Sequence, residues 1–248
     1  MIAMFAYVRL ELRRLGRMPG LLIFAVLMPL LSYLLFTNLH GLTGQDKDVA
    51  ATYTMVSMAG YGAIGALLNY ASGVVVDRSI GWMRQLRLTP LSPVRVVVGK
   101  GLTAMATAIV PVVALCAAAV AVNGVRLDVG QWLAIVPLLW FGSLPFALLG
   151  LGMGYLATAQ TVQPLNLLVY LGMSIVGGLW LPLDAMPGWV AAVGRWLPTH
   201  AYADMSWQVA FGGAPTGADV LTLAAWLVAF TVLAVAGFRR SVRSTAGL

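Results

Sequence analysis

Few side chains in this sequence have the type and spacing to carry out chemistry. Its one thiol and its two imidazoles, Cys116, His40 and His200, lie in three separate regions and so lack metal-ligand spacing. The stretch Val98-Gly99-Lys100-Gly101 lacks the first glycine and the hydroxyl residue of a phosphate-binding loop. We therefore expect no catalytic residue, metal ion or cofactor on this chain.

The composition excludes the common soluble classes. Of 248 residues, 60% are hydrophobic and only 9% are charged, whereas soluble domains are about 25% charged. The net charge of +7 could suggest a nucleic-acid partner. The basic residues, however, lie between long apolar stretches, so we expect membrane lipids as partners and no nucleic acid.

Six apolar stretches without Asp, Glu, Lys or Arg are long enough to cross a membrane. They are 21–39, 53–76, 101–123, 132–157, 164–181 and 220–238. Backbone amides in lipid need internal partners, which favours helices. The sequence predicts one all-α polytopic membrane domain over residues 1–248, with six transmembrane helices.

The charges between the stretches predict the orientation. With the N-terminus in the cytoplasm, the cytoplasmic side holds twelve basic and two acidic residues, and the outer side holds three basic and six acidic residues. This asymmetry follows the positive-inside rule. We expect a multi-pass protein of a bacterial plasma membrane with both termini in the cytoplasm.

Three segments outside the spans have distinct patterns. Residues 4–17 form an amphipathic pattern that predicts an interfacial helix, or alternatively a plain basic flank. The loop 77–100 has room for a short helix that ends at Thr89-Pro90, and it carries Trp and Met beside Arg, a mixture found at protein interfaces. It predicts a cytoplasmic docking element, or alternatively a loop that only sets topology. Residues 182–217, rich in Trp and Pro, predict an outer re-entrant hairpin or an ordinary outer loop.

Polar residues form stripes at helical spacing on the second and fifth spans. They are Tyr53, Ser57 and Tyr61, and then Asn166, Tyr170 and Ser174. Such groups need partners or a wet cavity in lipid. They predict either a pathway for amphipathic cargo or hydrogen bonds between helices. Because the spans lack the ionisable residues that mark ion-coupled carriers, energy for uphill transport would have to come from another subunit.

The pattern Asp77-Arg78-x-x-Gly81, followed by Leu86-x-x-Thr89-Pro90-x-Ser92, resembles the cytoplasmic signature of ATP-binding-cassette (ABC) type-2 transporter permeases. The stretches 181–189 and 197–202 look like the outer hairpin of that family. Asp77 stands where Glu is commoner, and Trp82-Met83-Arg84 replaces a Thr-containing stretch.

The resemblance implies an exporter of hydrophobic compounds or lipids, built from two permease copies and two copies of a separate ATPase that holds ATP and Mg. The implied ATPase-docking residues, described as a coupling helix, are Asp77, Arg78, Gly81, Trp82, Met83, Leu86, Thr89 and Pro90. The implied substrate pathway comprises Tyr53, Ser57, Tyr61, Asn166, Tyr170 and Ser174.

Two other classes remain open. A membrane scaffold or sensor could use the same loop to hold a signalling partner. An intramembrane serine protease of the rhomboid type also has six spans, but Gly172-Met173-Ser174-Ile175 lacks the closing glycine of its motif.

Overall fold

The computed structural model describes residues 2–17, 19–38, 45–79 and 93–246, and all regular structure within these ranges is helical. A short 3₁₀ turn covers Leu183–Ala185. The α-helices are α1 (Ile2–Gly16), α2 (Pro19–Asn38), α3 (Gln45–Ser72), α4 (Val74–Ser79), α5 (Pro93–Asn123), α6 (Val129–Phe141), α7 (Leu144–Leu156), α8 (Val162–Val176), α9 (Gly188–Gly194), α10 (Pro198–Ala210) and α11 (Gly217–Ala246).

Helix α3 is the centre of the bundle. It contacts α2, α5, α6, α7, α8 and α10, and nearly every residue from Ala51 to Leu68 is buried. Small residues allow this close packing. A Cβ at Gly62 would lie 2.8 Å from Pro111 Cβ and 3.0 Å from the Ala25 carbonyl oxygen, so α2, α3 and α5 meet there. A Cβ at Gly154 would lie 2.8 Å from the Ser72 carbonyl oxygen, where α7 crosses α3.

Among the described residues, four helical stretches are long and apolar enough to cross a membrane: Gln45–Ser79, Val96–Asn123, Val129–Leu156 and Gly217–Ser241. Two further apolar helices, Ile23–Asn38 and Val162–Val176, are shorter. The sequence placed the end of the fifth span at Leu181, but the helix ends at Val176. The chain turns there because Gly178 adopts a φ of +86°, and the Leu179 amide donates to the Ser174 carbonyl.

The predicted fourth span contains a break. It consists of α6 and α7, with a turn at Gly142 and Ser143 between them. Pro145 lies in the first turn of α7, where its missing N–H costs nothing.

The segment 182–217 contains α9 and α10, with Pro187 and Leu197 as their N-terminal caps. Prolines at or next to these starts fix where each short helix begins. Trp189 and Trp196 on this segment are 76% and 74% exposed, whereas Tyr202 on α10 is fully buried and donates to the Leu139 carbonyl oxygen. The side of the segment that carries Tyr202 therefore packs on the bundle, and the side that carries Trp189 and Trp196 is exposed.

Candidate functional site

The stripes predicted on the second and fifth spans face each other across the contact between α3 and α8. The rings of Tyr61 and Tyr170 stack with their centroids 4.3 Å apart and their planes 10° from parallel. The Tyr170 hydroxyl donates to the Tyr61 carbonyl oxygen at 3.0 Å. Gly65 makes room for this pair, since a Cβ there would lie 2.7 Å from the Tyr170 ring.

Tyr53 lies at one end of the same stripe, near the start of α3. Its hydroxyl donates to the Gly178 carbonyl oxygen at 3.0 Å, and its ring stacks on Trp207 with a centroid separation of 4.6 Å. The Trp207 indole N–H in turn donates to the Tyr53 carbonyl oxygen. Ser57 is buried and donates to that same carbonyl. Tyr53 thus ties α3 to the turn after α8 and to α10.

Asn166 lies at the other end of the stripe, near the start of α8. Its amide nitrogen donates to Ser72 Oγ at 3.0 Å and lies 3.4 Å from Asn69 Oδ1, both near the end of α3. In the part of the chain that the structure describes, the buried Asn166 Oδ1 and Ser174 Oγ have no hydrogen-bond partner. The six predicted pathway residues are therefore brought together along one seam, where four of them join α3 to neighbouring segments. Two buried polar atoms there remain unsatisfied.

A second site, which we call the ionic cluster, lies where α1, α4 and α5 meet and comprises Glu11, Arg14, Asp77 and Lys100. Glu11, Asp77 and Lys100 are 2%, 3% and 3% exposed. Lys100 Nζ lies 2.5 Å from Asp77 Oδ2 and 3.5 Å from Glu11 Oε1. Arg14, whose side chain is 44% exposed, lies 3.4 Å from Asp77 and 3.7 Å from Glu11. Four formal charges, two of each sign, thus join α1, α4 and α5.

Neighbouring tyrosines complete the surroundings of Glu11. The Tyr70 hydroxyl donates to Glu11 Oε2 at 2.7 Å. Burial opposes ionisation of this carboxyl, but the Lys100 ammonium, the Tyr70 hydroxyl and the Arg14 guanidinium outweigh it and hold the Glu11 pKa below its ordinary value. Glu11 is therefore a buried anion that the protein itself neutralises.

The structure describes only two of the predicted docking residues, and both make contacts within the chain. Asp77 belongs to the ionic cluster, and the Arg78 guanidinium donates to the carbonyl oxygens of Gly154 and Tyr155 at 3.1 and 2.6 Å. Those carbonyls lie at the C-terminal end of α7, where a cation is favoured. The other docking residues lie outside the described residues: Gly81, Trp82, Met83, Leu86, Thr89 and Pro90.

Sequence reasoning did not identify Glu11 and Lys100 as site residues. On the first helix, which the sequence predicted only as amphipathic, the buried side carries Tyr7, Glu11 and Leu15, and Leu12 is exposed. One signal was available, because Glu11 is the only acidic residue in an N-terminal segment with four arginines. An isolated acid at helical spacing from buried-type residues suggests an internal ion pair.

Comparison of the sequence with known proteins identifies its family. The family model described as "ABC-2 family transporter protein" matches residues 29–238. The chain is also similar to YvfS of Bacillus subtilis (strain 168), which carries the name of a transport permease. The two are 25% identical over 224 residues, covering 90% of this chain and 91% of YvfS. The matched range contains α3, α8 and the loop that joins α4 to α5. From its sequence, this membrane-embedded helical chain belongs to the ABC-2 family of transporter proteins.

Proposed function

We propose that this chain is the transmembrane permease subunit of an ATP-driven exporter, powered by a separate ATPase subunit. Its cargo would be hydrophobic or amphipathic, a drug-like compound or a lipid. Membership of the ABC-2 family supports the transport role. The neutral, aromatic seam between α3 and α8 supports the cargo class, because ring faces and hydroxyl groups suit amphipathic molecules.

The observation that carries the proposal is the ion pair at the base of the cytoplasmic loop. Asp77 precedes the segment 80–92 and Lys100 follows it, and their side chains meet at 2.5 Å. The two helices that flank this segment are therefore held together at its base. A segment that carries Trp82, Met83 and Leu86 between arginines is suited to enter a cleft on a cytoplasmic ATPase.

The energy source follows from the composition of the spans. None of the six apolar stretches contains Asp, Glu, Lys or Arg, whereas ion-coupled carriers place such residues along their pathway. ATP and Mg bound by the partner would supply the energy. Movement of the docked loop would then favour inward-facing or outward-facing arrangements of the helices in turn.

We further propose that all six apolar helices cross the membrane, with both termini in the cytoplasm. The 20 residues of α2 span about 30 Å, which matches the hydrocarbon core. The 15 residues of α8 span only about 22 Å. The buried turn at Gly177, Gly178 and Leu179, together with the hairpin of α9 and α10, would complete that crossing against protein.

We propose a homodimeric permease with two ATPase copies. Several large apolar side chains on α2 and α8 are exposed in the single chain, among them Phe24, Met28, Leu167 and Leu168. A second copy could cover part of these faces, and lipid would cover the rest.

Purification of the tagged chain from its native bacterium tests the partner. We expect a P-loop ATPase to copurify in equal amount. Gly81→Pro, or Trp82→Asp together with Leu86→Asp, should abolish copurification while membrane insertion persists. Trp189→Ala, on the exposed outer hairpin, is the matched control and should retain the ATPase.

Two results would contradict the proposal. Copurification of a histidine kinase or another signalling protein, with no ATPase, would favour the scaffold or sensor. Movement of an amphipathic dye across vesicles that contain this chain alone would show that no separate ATPase is needed.

A further inference from the structure

The base of the cytoplasmic loop is held by more than one ion pair. Lys100 lies between two carboxylates, Asp77 of α4 and Glu11 of α1, and all three side chains are at least 95% buried. The base of the loop is therefore attached to α1 as well as to α4 and α5, because Glu11 of α1 contacts the same Lys100 ammonium group.

Packing reinforces the attachment of α1. Tyr7, one turn before Glu11, lies against Gly99, where a Cβ would come within 2.7 Å of its ring. Tyr70 on α3 donates to Glu11, and its ring lies 5.7 Å from Lys100 Nζ. Around the buried charges, α1, α3, α4 and α5 thus share one set of contacts.

The energetics make this set resist separation. Moving α1 away would leave the Glu11 carboxylate buried or would expose Lys100 with only one partner. Uncompensated buried charges are among the costliest defects in a folded protein. If the loop is displaced, α1 should therefore move with it and the ion pairs should persist.

Arg78 provides a second connection from the same place. It follows Asp77 directly and donates to the carbonyl oxygens of Gly154 and Tyr155 at the end of α7. Tyr155 packs edge-on against Phe238 of α11. Displacement of the loop base would thus reach α7 and α11 as well as α1.

We propose that Glu11, Asp77 and Lys100 form a joint that makes α1 move with the base of the docking loop. In this joint the pair Asp77-Arg78 holds the permease's own helices and does not contact the ATPase. These are positioning residues, and the inference rests on the proposed function. It adds that removal of the joint leaves the ATPase bound but uncouples its nucleotide cycle from α1.

The test separates docking from transmission. An environment-sensitive fluorophore is attached at Arg9→Cys, an exposed position on α1, while Cys116 is buried. The ATPase complex purified from the native bacterium is placed in vesicles, and its emission is recorded with and without ATP and vanadate. We expect a nucleotide-dependent change in the parent that Glu11→Gln, Asp77→Asn and Lys100→Gln each reduce at least about fivefold.

Copurification of the ATPase should remain at the parental level in these variants. Arg13→Gln, an exposed basic residue on the same helix, is the matched control and should change neither readout. Lys100→Arg keeps the positive charge and should recover most of the response. If Lys100→Gln elutes as an aggregate, the Glu11→Gln variant replaces it in the test. Its glutamine side-chain carbonyl can still accept the hydrogen bond from the Tyr70 hydroxyl.

Each contrary outcome has a distinct meaning. Full nucleotide response in Glu11→Gln and Asp77→Asn would overturn the joint. Loss of the ATPase in Asp77→Asn but not in Glu11→Gln would also overturn it and make Asp77 a docking contact. If the parent chain brings down no ATPase, the proposed function fails first, and the joint fails with it.

Discussion

Two regions of the bundle satisfy buried polar groups in different ways. Along the seam between α3 and α8, neutral groups stack and donate to backbone carbonyls, as Tyr61 and Tyr170 do. In the ionic cluster, Glu11, Asp77 and Lys100 are ionised groups in direct contact. Neutral contacts in a membrane are worth about 0.6 kcal/mol each, whereas breaking a buried ion pair costs several times more. The seam is therefore suited to rearrange and the cluster to remain intact.

The largest expected effect comes from removing the central cation of the cluster. Lys100→Met leaves two buried carboxylates with only the partly exposed Arg14 nearby, so we expect a loss of about 3–5 kcal/mol of stability. Thermal unfolding in detergent measures this loss. Lys47→Met alters the only other lysine of the chain and should have little effect. Equal melting temperatures for the two variants would show that the ionic cluster does not stabilise the folded protein.

A smaller effect is expected from crowding the seam. Gly65→Ala places a methyl group 2.7 Å from the Tyr170 ring and should cost about 1–3 kcal/mol. Gly172→Ala on α8 meets no atom within 4 Å and is the matched control. Chemical unfolding of the two variants side by side measures the difference. A Gly65→Ala protein as stable as the control would show that the seam accommodates the added methyl group without a measurable loss of stability.

The pH dependence of stability distinguishes the cluster from the seam. The Glu11 pKa is lowered from 4.5 in the folded protein, so its contribution is present above pH 4.5 and is lost as the pH falls through the lowered value. Stability measured from pH 7 down to pH 3 should therefore decline below pH 4.5. Glu11→Gln should flatten this decline, while Asp128→Asn, which removes an exposed acid, should not.

The smallest effect on stability is expected from removing one hydroxyl group of the seam. Tyr170→Phe keeps the ring stack but loses the hydrogen bond to the Tyr61 carbonyl, which should cost about 0.6 kcal/mol of stability.

Tyr170→Ala and Asn166→Ala should leave assembly with the ATPase intact and change which compounds are exported. Resistance profiles against a panel of amphipathic compounds measure that change. Unaltered profiles in both variants would make the seam a packing contact only.

Helix positions were more predictable from the sequence than helix ends. The apolar stretches identified the long helices because lipid leaves the backbone few alternatives. The end of α8 at Val176 was missed because it depends on a glycine at positive φ and on Thr199, which donates to the Met173 carbonyl from 26 residues later. Contacts that distant are not visible as a local pattern.

The seam and the cluster also differ in predictability. Helical spacing placed Asn166, Tyr170 and Ser174 on one face, and the structure brings that face against α3. The cluster joins residues 11, 77 and 100, which share no spacing. A basic flank and an ionic cluster look alike in sequence until the fold decides which charges are buried.

Composition alone indicated that this chain is helical and embedded in a membrane, because backbone amides in lipid must find their hydrogen-bond partners within the same segment. Only the tertiary structure decided that Glu11, Asp77 and Lys100 meet. The physical reason is that burial makes a charge require a partner, and the helices that supply those partners are distant along the chain.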